Sequence, residues 1–227
     1  MITLTSILRT RYLMDERGRM SCTLEPEPLP APFFTLMRSA SDRAWAVRAD
    51  VPGATADQLD RMAREEQPME CSPEPPLHAG EYLSLLKGQV RTGPTFLFPN
   101  RIPHADGTVV VDRLDLLERN FHGWTADEIP TRSPIMAVIE GGYPVSICFC
   151  SRKTDSVAEA GVETVEAFRG RGLAPLVTAA WAAAIRSSGR TPVYSTFWEN
   201  HASRAVARKL GLIHHASDWS IVEESGT

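Results

Sequence analysis

Between Gly161 and Ile185 the chain changes its period within a few residues, and that change constrains the fold more than any other feature. Gly161-Val162-Glu163-Thr164-Val165 alternates in β-branched residues and reads as a strand. Leu176 to Ile185 is Ala-rich and free of breakers, and it follows Pro175, which a helix accepts only in its first turn. Between the two lies Arg169-Gly170-Arg171-Gly172-Leu173-Ala174. A strand, a glycine turn and a helix N-terminus therefore follow one another. The first N–H groups of a helix have no internal partner and sit at the positive end of its dipole. Such a turn binds an anion once glycines let the backbone come close. The bland reading of Gly170 and Gly172 is a plain turn.

Two common nucleotide motifs do not fit. G-x-G-x-x-G needs a third glycine where Pro175 stands, and G-x-x-x-x-G-K-[ST] is absent. Residues 169–174 do fit R-x-x-G-x-A. Downstream, Val193 to Phe197 reads as a strand by its β-branched and aromatic content. A helix from His201 to Leu210 follows, with Asn200 as the expected N-cap and Gly211 as the stop. Asn200, Ser203, Val206, Lys209, Leu210 and Gly211 fall on N-x-x-S-x-x-φ-x-x-K-L-G, with φ apolar. Two motifs in this order, joined by one helix and one strand, resemble the acetyl-CoA site of the GNAT N-acetyltransferase superfamily. Within it the chain looks most like the antibiotic-resistance-type, FR47-like subgroup.

The resemblance implies an α/β (α+β) GNAT fold: a mixed, mostly antiparallel sheet flanked by helices, with acetyl-CoA as cosubstrate, an amine as acceptor and no metal. It implies that the main chain of Val162, Glu163 and Thr164 holds the pantetheine arm, and that a splay beyond Thr164 leaves an N–H near the thioester oxygen. Arg169, Gly170, Arg171, Gly172, Leu173 and Ala174 are then the pyrophosphate turn. Asn200 and Ser203 close the cofactor site.

Acetyl transfer from a thioester to an amine needs a neutral amine, a polarised carbonyl and a proton for the departing thiolate. Many GNAT enzymes take that proton from a tyrosine seven residues after the helix asparagine. Here the position is Ala207. Ser203, Tyr194 or water can replace it, or no donor at all, since a thiolate leaves tolerably near neutral pH. Candidate bases are Glu163, Glu199 and His201. Glu163 flanks the thioester and can relay a proton through water if burial raises its pKa; its alternative is an ordinary strand carboxylate. His201, in a first helical turn, is expected in solvent, and His214 and His215 on a strand surface. Trp181 is expected in the core, while Trp124 and Trp198 either line the acceptor pocket or pack.

At 227 residues and 43% hydrophobic content, the chain can bury a full core. A net charge of -4 without a Lys/Arg cluster argues against nucleic acid. No apolar run approaches the roughly 20 residues of a membrane span, and residues 1–8 lack signal-peptide character, so the cytoplasm is the expected location. Cys22, Cys71, Cys148 and Cys150 show no C-x-x-C spacing. Cys148 and Cys150 share one face of a strand and read as buried thiols. A homodimer is compatible with the sequence.

The expected division is an N-terminal α/β region over 1–105, of unknown role, and a GNAT domain over 106–227. In the first, one hairpin turns at Asp15 to Gly18, and another joins Phe33–Met37 to Trp45–Arg48. A helix from Ala56 to Glu65, capped by Thr55, leads into a Pro-, Glu- and Ser-rich stretch from Gln67 to Pro76. A short helix is expected over His78–Lys87 and an extended segment over Pro94–Pro103. In the second region the pattern predicts a strand at Val109–Val111, a helix at Leu114–Asn120, an acceptor-side loop from His122 to Ser133, and a hairpin across Glu140-Gly141-Gly142. Its most concrete reading is an N-acetyltransferase acting on a small-molecule amine. The alternatives are a protein N-acetyltransferase and an acyl-CoA-binding regulatory module without turnover.

Overall fold

The structure is a computed structural model and describes residues 2–69, 72–103 and 105–224. In chain order its elements are α1 (Leu4–Arg11), β1 (Tyr12–Met14), β2 (Met20–Thr23), β3 (Phe34–Arg38), β4 (Arg43–Val47), α2 (Gly53–Glu65), α3 (Ala79–Leu85) and β5 (Gln89–Leu97). They continue as β6 (Val109–Val110), α4 (Leu114–Leu117), α5 (Glu128–Arg132), β7 (Met136–Glu140), β8 (Tyr143–Lys153) and β9 (Val157–Thr164). Then come α6 (Leu173–Ser187), β10 (Thr191–Ser195), α7 (His201–Lys209) and β11 (Ile213–Val222). The fold is mixed α/β, with mostly antiparallel strand pairing and flanking helices. Its backbone contacts divide it into two compact units. One is Met1–Phe96 with Ser195–His201 and His214–Thr227; the other is Leu97–Tyr194 with Ala202–Ile213. This division by compactness runs differently from the chain-order division at 105/106.

In the first unit the strands run in the order β4-β3-β11-β5. The two N-terminal hairpins form as their turn residues predict, with β1 against β2 and β3 against β4. The far side of β3 takes β11, from Arg38 opposite Ser217 to Phe34 opposite Ile221. Phe34, Leu36, Trp219 and Ile221 then bury one face of this sheet against Ala56, Leu59 and Ala63 of α2 and Tyr82 of α3. The spacing of the α2 residues puts them on one side of a 3.6-residue helix. Beneath α1, Arg11 donates to Asp218 at 2.6 Å and to Thr95 at 2.8 Å, and Thr95 donates to Asp218 at 2.6 Å. This network fastens α1 to β5 and β11.

One helix of this unit was not among the expected elements, and another starts earlier than expected. The segment Leu4–Arg11 is helical, closed by a reciprocal cap between Thr3 and Ser6. Helix α2 begins at Gly53 after Pro52, so Thr55 lies inside its first turn and is not the cap. Strand β5 also begins before Pro94, at Gln89. Past Ser195 the chain follows β5: the Thr196 N–H donates to Pro94 O at 3.2 Å, and the Trp198 N–H to Thr92 O at 3.3 Å. Gly93 permits this approach, because a Cβ there would lie 1.9 Å from the Thr196 carbonyl oxygen.

In the second unit the order is β10-β9-β8-β7-β6. The β7–β8 hairpin turns through Gly141 and Gly142 at φ 60° and 85°, the left-handed pair that a two-residue hairpin requires. Successive residues of a strand face opposite sides. Ala137, Ile147 and Phe149 accordingly pack under Leu117, Phe121 and Ile129 of the α4–α5 region. Cys148 and Cys150, both buried free thiols, face Thr178 and Trp181 of α6. Cys71 lies outside the described residues. The stretch from His122 to Ser133, expected as loop, contains α5.

Candidate acyl-transfer site

The second unit opens along one strand. Strands β9 and β10 pair in parallel through Thr191 opposite Val157, Pro192 opposite Ala158 and Val193 opposite Glu159. Pairing then stops, while β9 runs on to Thr164 with β8 along its other side. The strands thus part before Ala160. The expected splay beyond Thr164 lies earlier in the chain, so the backbone of Ala160–Thr164 is the free edge. A strand edge without a neighbour offers N–H and C=O groups to an extended ligand.

The same strand leads into the glycine turn. Gly170 and Gly172 adopt φ 76° and 82°, a region that costs an L side chain energy, and Gly172 caps α6. A Cβ at either glycine would meet no atom within 4 Å, so it is the left-handed φ and not crowding that favours glycine here. Leu173, Ala174 and Pro175 make the first turn of α6, as the period change predicts. No side chain caps that turn, which leaves its N–H groups for an outside acceptor. The Arg169 Nε–H donates to the Thr164 carbonyl at 3.4 Å. Arg171 makes two hydrogen bonds to Glu140, at 2.7 and 3.1 Å.

Glu163 stands opposite Ile147 on β8, on the face that carries Phe149 and Gly161. Its side chain is exposed, although protein around the carboxylate displaces part of the surrounding water. Loss of hydration there raises its pKa, against the opposing pull of Arg132. Arg132 is bonded to Glu128 at 2.9 Å and lies 5.1 Å from the ring centres of both Trp124 and Phe149. Trp124 meets Phe149 edge-on at 4.8 Å. The carboxylate, the cation and two aromatic rings share one face.

The opposite face holds a hydroxyl pair. Tyr194, next to Val193, is buried, and its hydroxyl lies 2.5 Å from that of Ser203 on α7. Burial pushes the Tyr194 pKa up to about 12, the Ser203 hydrogen bond opposing the rise. Cys148, which faces α6, also bears on Tyr194 and marks it as lying on that side. The structure therefore pairs two groups that the sequence offered only as separate proton donors. Ala207 is buried, so no hydroxyl stands at the tyrosine position.

The remaining sequence candidates fall elsewhere. Val162 and Thr164 alternate with Glu163 along β9, and the Thr164 hydroxyl is engaged at 2.8 Å by buried Ser146. Glu199, Asn200 and His201 are exposed and belong to the first unit. Trp198 stacks on His214, and Trp181 is fully buried beside Phe98. His214 and His215, expected at the strand surface, are half-buried with Nε2 atoms that lack a hydrogen-bond partner. Their neighbours come from distant segments, which a local pattern does not show. Among the described residues no His, Cys, Asp and Glu gather as a metal site, and no helix is long and apolar enough to cross a membrane.

The fold has counterparts among solved structures. The fold is similar to that of a GNAT-family protein from Novosphingobium aromaticivorans, at 20% identity, covering 61% of this chain and 66% of that one, with a TM-score of 0.50. The matched part is thus just under two thirds of that protein. Weaker structural matches include a GNAT-family acetyltransferase of Colwellia psychrerythraea, at 12% identity, 92% and 84% coverage and TM-score 0.49. A GCN5-related N-acetyltransferase of Sphaerobacter thermophilus matches at 12% identity, 99% and 89% coverage and TM-score 0.48. Comparison with functionally curated proteins gives no match. Residues 135–220 match the family model described as GNAT acetyltransferase, and the open strand, glycine turn and helix lie in that stretch.

Proposed function

We propose that the protein is an acetyl-CoA-dependent N-acetyltransferase whose acceptor is a small-molecule amine. The observation that carries this reading is the continuity of β9, the glycine turn and α6: a free strand edge ends within a few residues at a helix N-terminus that no side chain caps. An extended arm with an anionic end fits such a surface. The backbone of Val162, Glu163 and Thr164 would hold the arm, and residues 169–174 the pyrophosphate. Bound there, acetyl-CoA supplies an acyl thioester.

The side chains divide the proton work between the two faces. Glu163, with its raised pKa, accepts a proton from the acceptor's ammonium, directly or through water, and leaves the neutral amine to attack the thioester. Tyr194 stays protonated near neutral pH and backs the Ser203 hydroxyl, which holds a proton for the departing thiolate. Base and acid thus flank the opening, and neither must cross the sheet. Trp124 and Phe149 give the acceptor side an apolar wall, and Arg132 with Glu128 a polar one.

The deciding experiment is thiol release from acetyl-CoA with a panel of small amines and peptides. Turnover with small amines supports the proposal, and turnover with peptides alone replaces the acceptor class. One observation favours a second reading, a cofactor-binding module without turnover: the buried Ala207 at the tyrosine position. Tight acetyl-CoA binding with no thiol release above background would select it.

A further inference from the structure

Arg171 sits between the two left-handed glycines, so its backbone belongs to the anion turn while its side chain is committed elsewhere. The guanidinium meets Glu140, at the tip of the β7–β8 hairpin, through both terminal nitrogens, at 2.7 and 3.1 Å, and lies 5.2 Å from the Phe168 ring centre. This two-point fork is the geometry with which arginine also grips a phosphate. One fork cannot satisfy both at once. Both partners are substantially exposed, 49% and 36% at the side chain, and exposed pairs are weak. The pyrophosphate of the cofactor carries two negative charges against the carboxylate's one and can take the guanidinium from it. Until it does, Glu140 neutralises the cation nearest the turn and adds a negative charge beside it.

We infer that Glu140 is a built-in competitor for the anion at Arg171: it occupies the guanidinium in the free protein and releases it to a phosphate of the incoming nucleotide, which lowers cofactor affinity. The inference rests on the reading of residues 169–174 as the pyrophosphate turn. It goes beyond that reading by giving a role to a residue outside the turn, and by making the hairpin tip a determinant of affinity. The opposite role, in which Glu140 braces the turn for the cofactor, predicts the reverse sign.

Calorimetric titration of the full chain with CoA, and separately with inorganic pyrophosphate, distinguishes them. Glu140→Gln should bind both probes about three- to tenfold more tightly at low salt, and the gain should shrink as salt screens the exposed charges. Arg171→Gln should bind more weakly, and in the double variant the gain from Glu140→Gln should largely vanish. Glu140→Ala guards against an effect peculiar to glutamine, and thermal melts confirm that each variant is folded. Unchanged or weaker binding by folded Glu140→Gln and Glu140→Ala overturns the competitor role while leaving the cofactor site standing. No CoA binding by the wild type overturns the cofactor reading and this inference with it.

Discussion

A single carboxylate shows how far one residue's chemistry depends on its setting. The sequence places Glu163 on a strand; whether it is a solvated strand residue or a base depends on what surrounds it, and partial desolvation beside Arg132 raises its pKa, as a base requires. As a base it works deprotonated, so activity should fall as pH drops through its raised pKa. The acid limb of kcat/KM should therefore lie above the ~4.3 of a free glutamate. Glu163→Gln should lower kcat by about 10²-fold or more and abolish that limb, with acetyl-CoA affinity nearly unchanged, because the proposed site holds the cofactor there by main chain. Wild-type turnover at saturating acceptor would reduce Glu163 to a strand residue. His214 gives a second residue-scale expectation. Burial, with a smaller push from His215, lowers its pKa to about 4, and burial lowers that of His215 as well. In the unfolded chain both titrate near ~6.5, so below that pH the unfolded state takes up protons the native state refuses. Stability should decline from about pH 6.5 toward 4. Urea midpoints at several pH values should show a shallower decline for His214→Phe; an identical slope would remove His214 as the cause.

At the scale of elements, the strand-to-helix junction was legible because its signals are local: β-branched alternation, glycines at the turn and a proline in the first helical turn. The end of α7 was legible for the same reason. Gly211 at φ 61° lets its own N–H reach Arg208 O and the Leu212 N–H reach Ala207 O, closing the helix. Helix α1 was not; the reciprocal Thr3–Ser6 cap and the burial of Leu4, Ile7 and Leu8 on one side stabilise it. Thr55 misled in a related way. A cap residue in the right neighbourhood does not cap when the helix begins earlier, at Gly53. The glycine turn gives the prediction for this scale. Gly172→Val would place a β-branched side chain at φ 82°, strained by roughly 1–2 kcal/mol, and would disturb the turn proposed to bind the pyrophosphate. Acetyl-CoA should bind at least about tenfold more weakly, which is ~1.4 kcal/mol. An unchanged dissociation constant, with native circular dichroism, would remove the turn from the cofactor site.

For the molecule as a whole, the last strand matters most. β11 lies next to β3 in the first unit, where Trp219 and Ile221 join its core and Asp218 receives Arg11 and Thr95. A fragment ending at residue 105 lacks all three. Burial of those two side chains contributes about 1.5–3 kcal/mol each, against a total stability of roughly 5–15 kcal/mol for a domain, and the pairing edge of β3 would be left bare. The fragment 1–105 should therefore lack a cooperative urea transition, and adding a peptide of residues 212–224 should restore some structure. A cooperatively folded fragment would show that β11 is dispensable. The sequence alone determined the elements whose signals lie within a few residues of one another: the hairpins, the junction at 161–185, the motif helix after Asn200, and through them the family. Tertiary structure decided what depends on residues far apart in the chain. It set where β10 leaves β9, brought Tyr194 to Ser203, raised the pKa of Glu163, bound Arg171 to Glu140 and sent β11 back to the N-terminal strands. Local preference is written in spacing, whereas partnership, burial and charge environment arise only when distant segments meet.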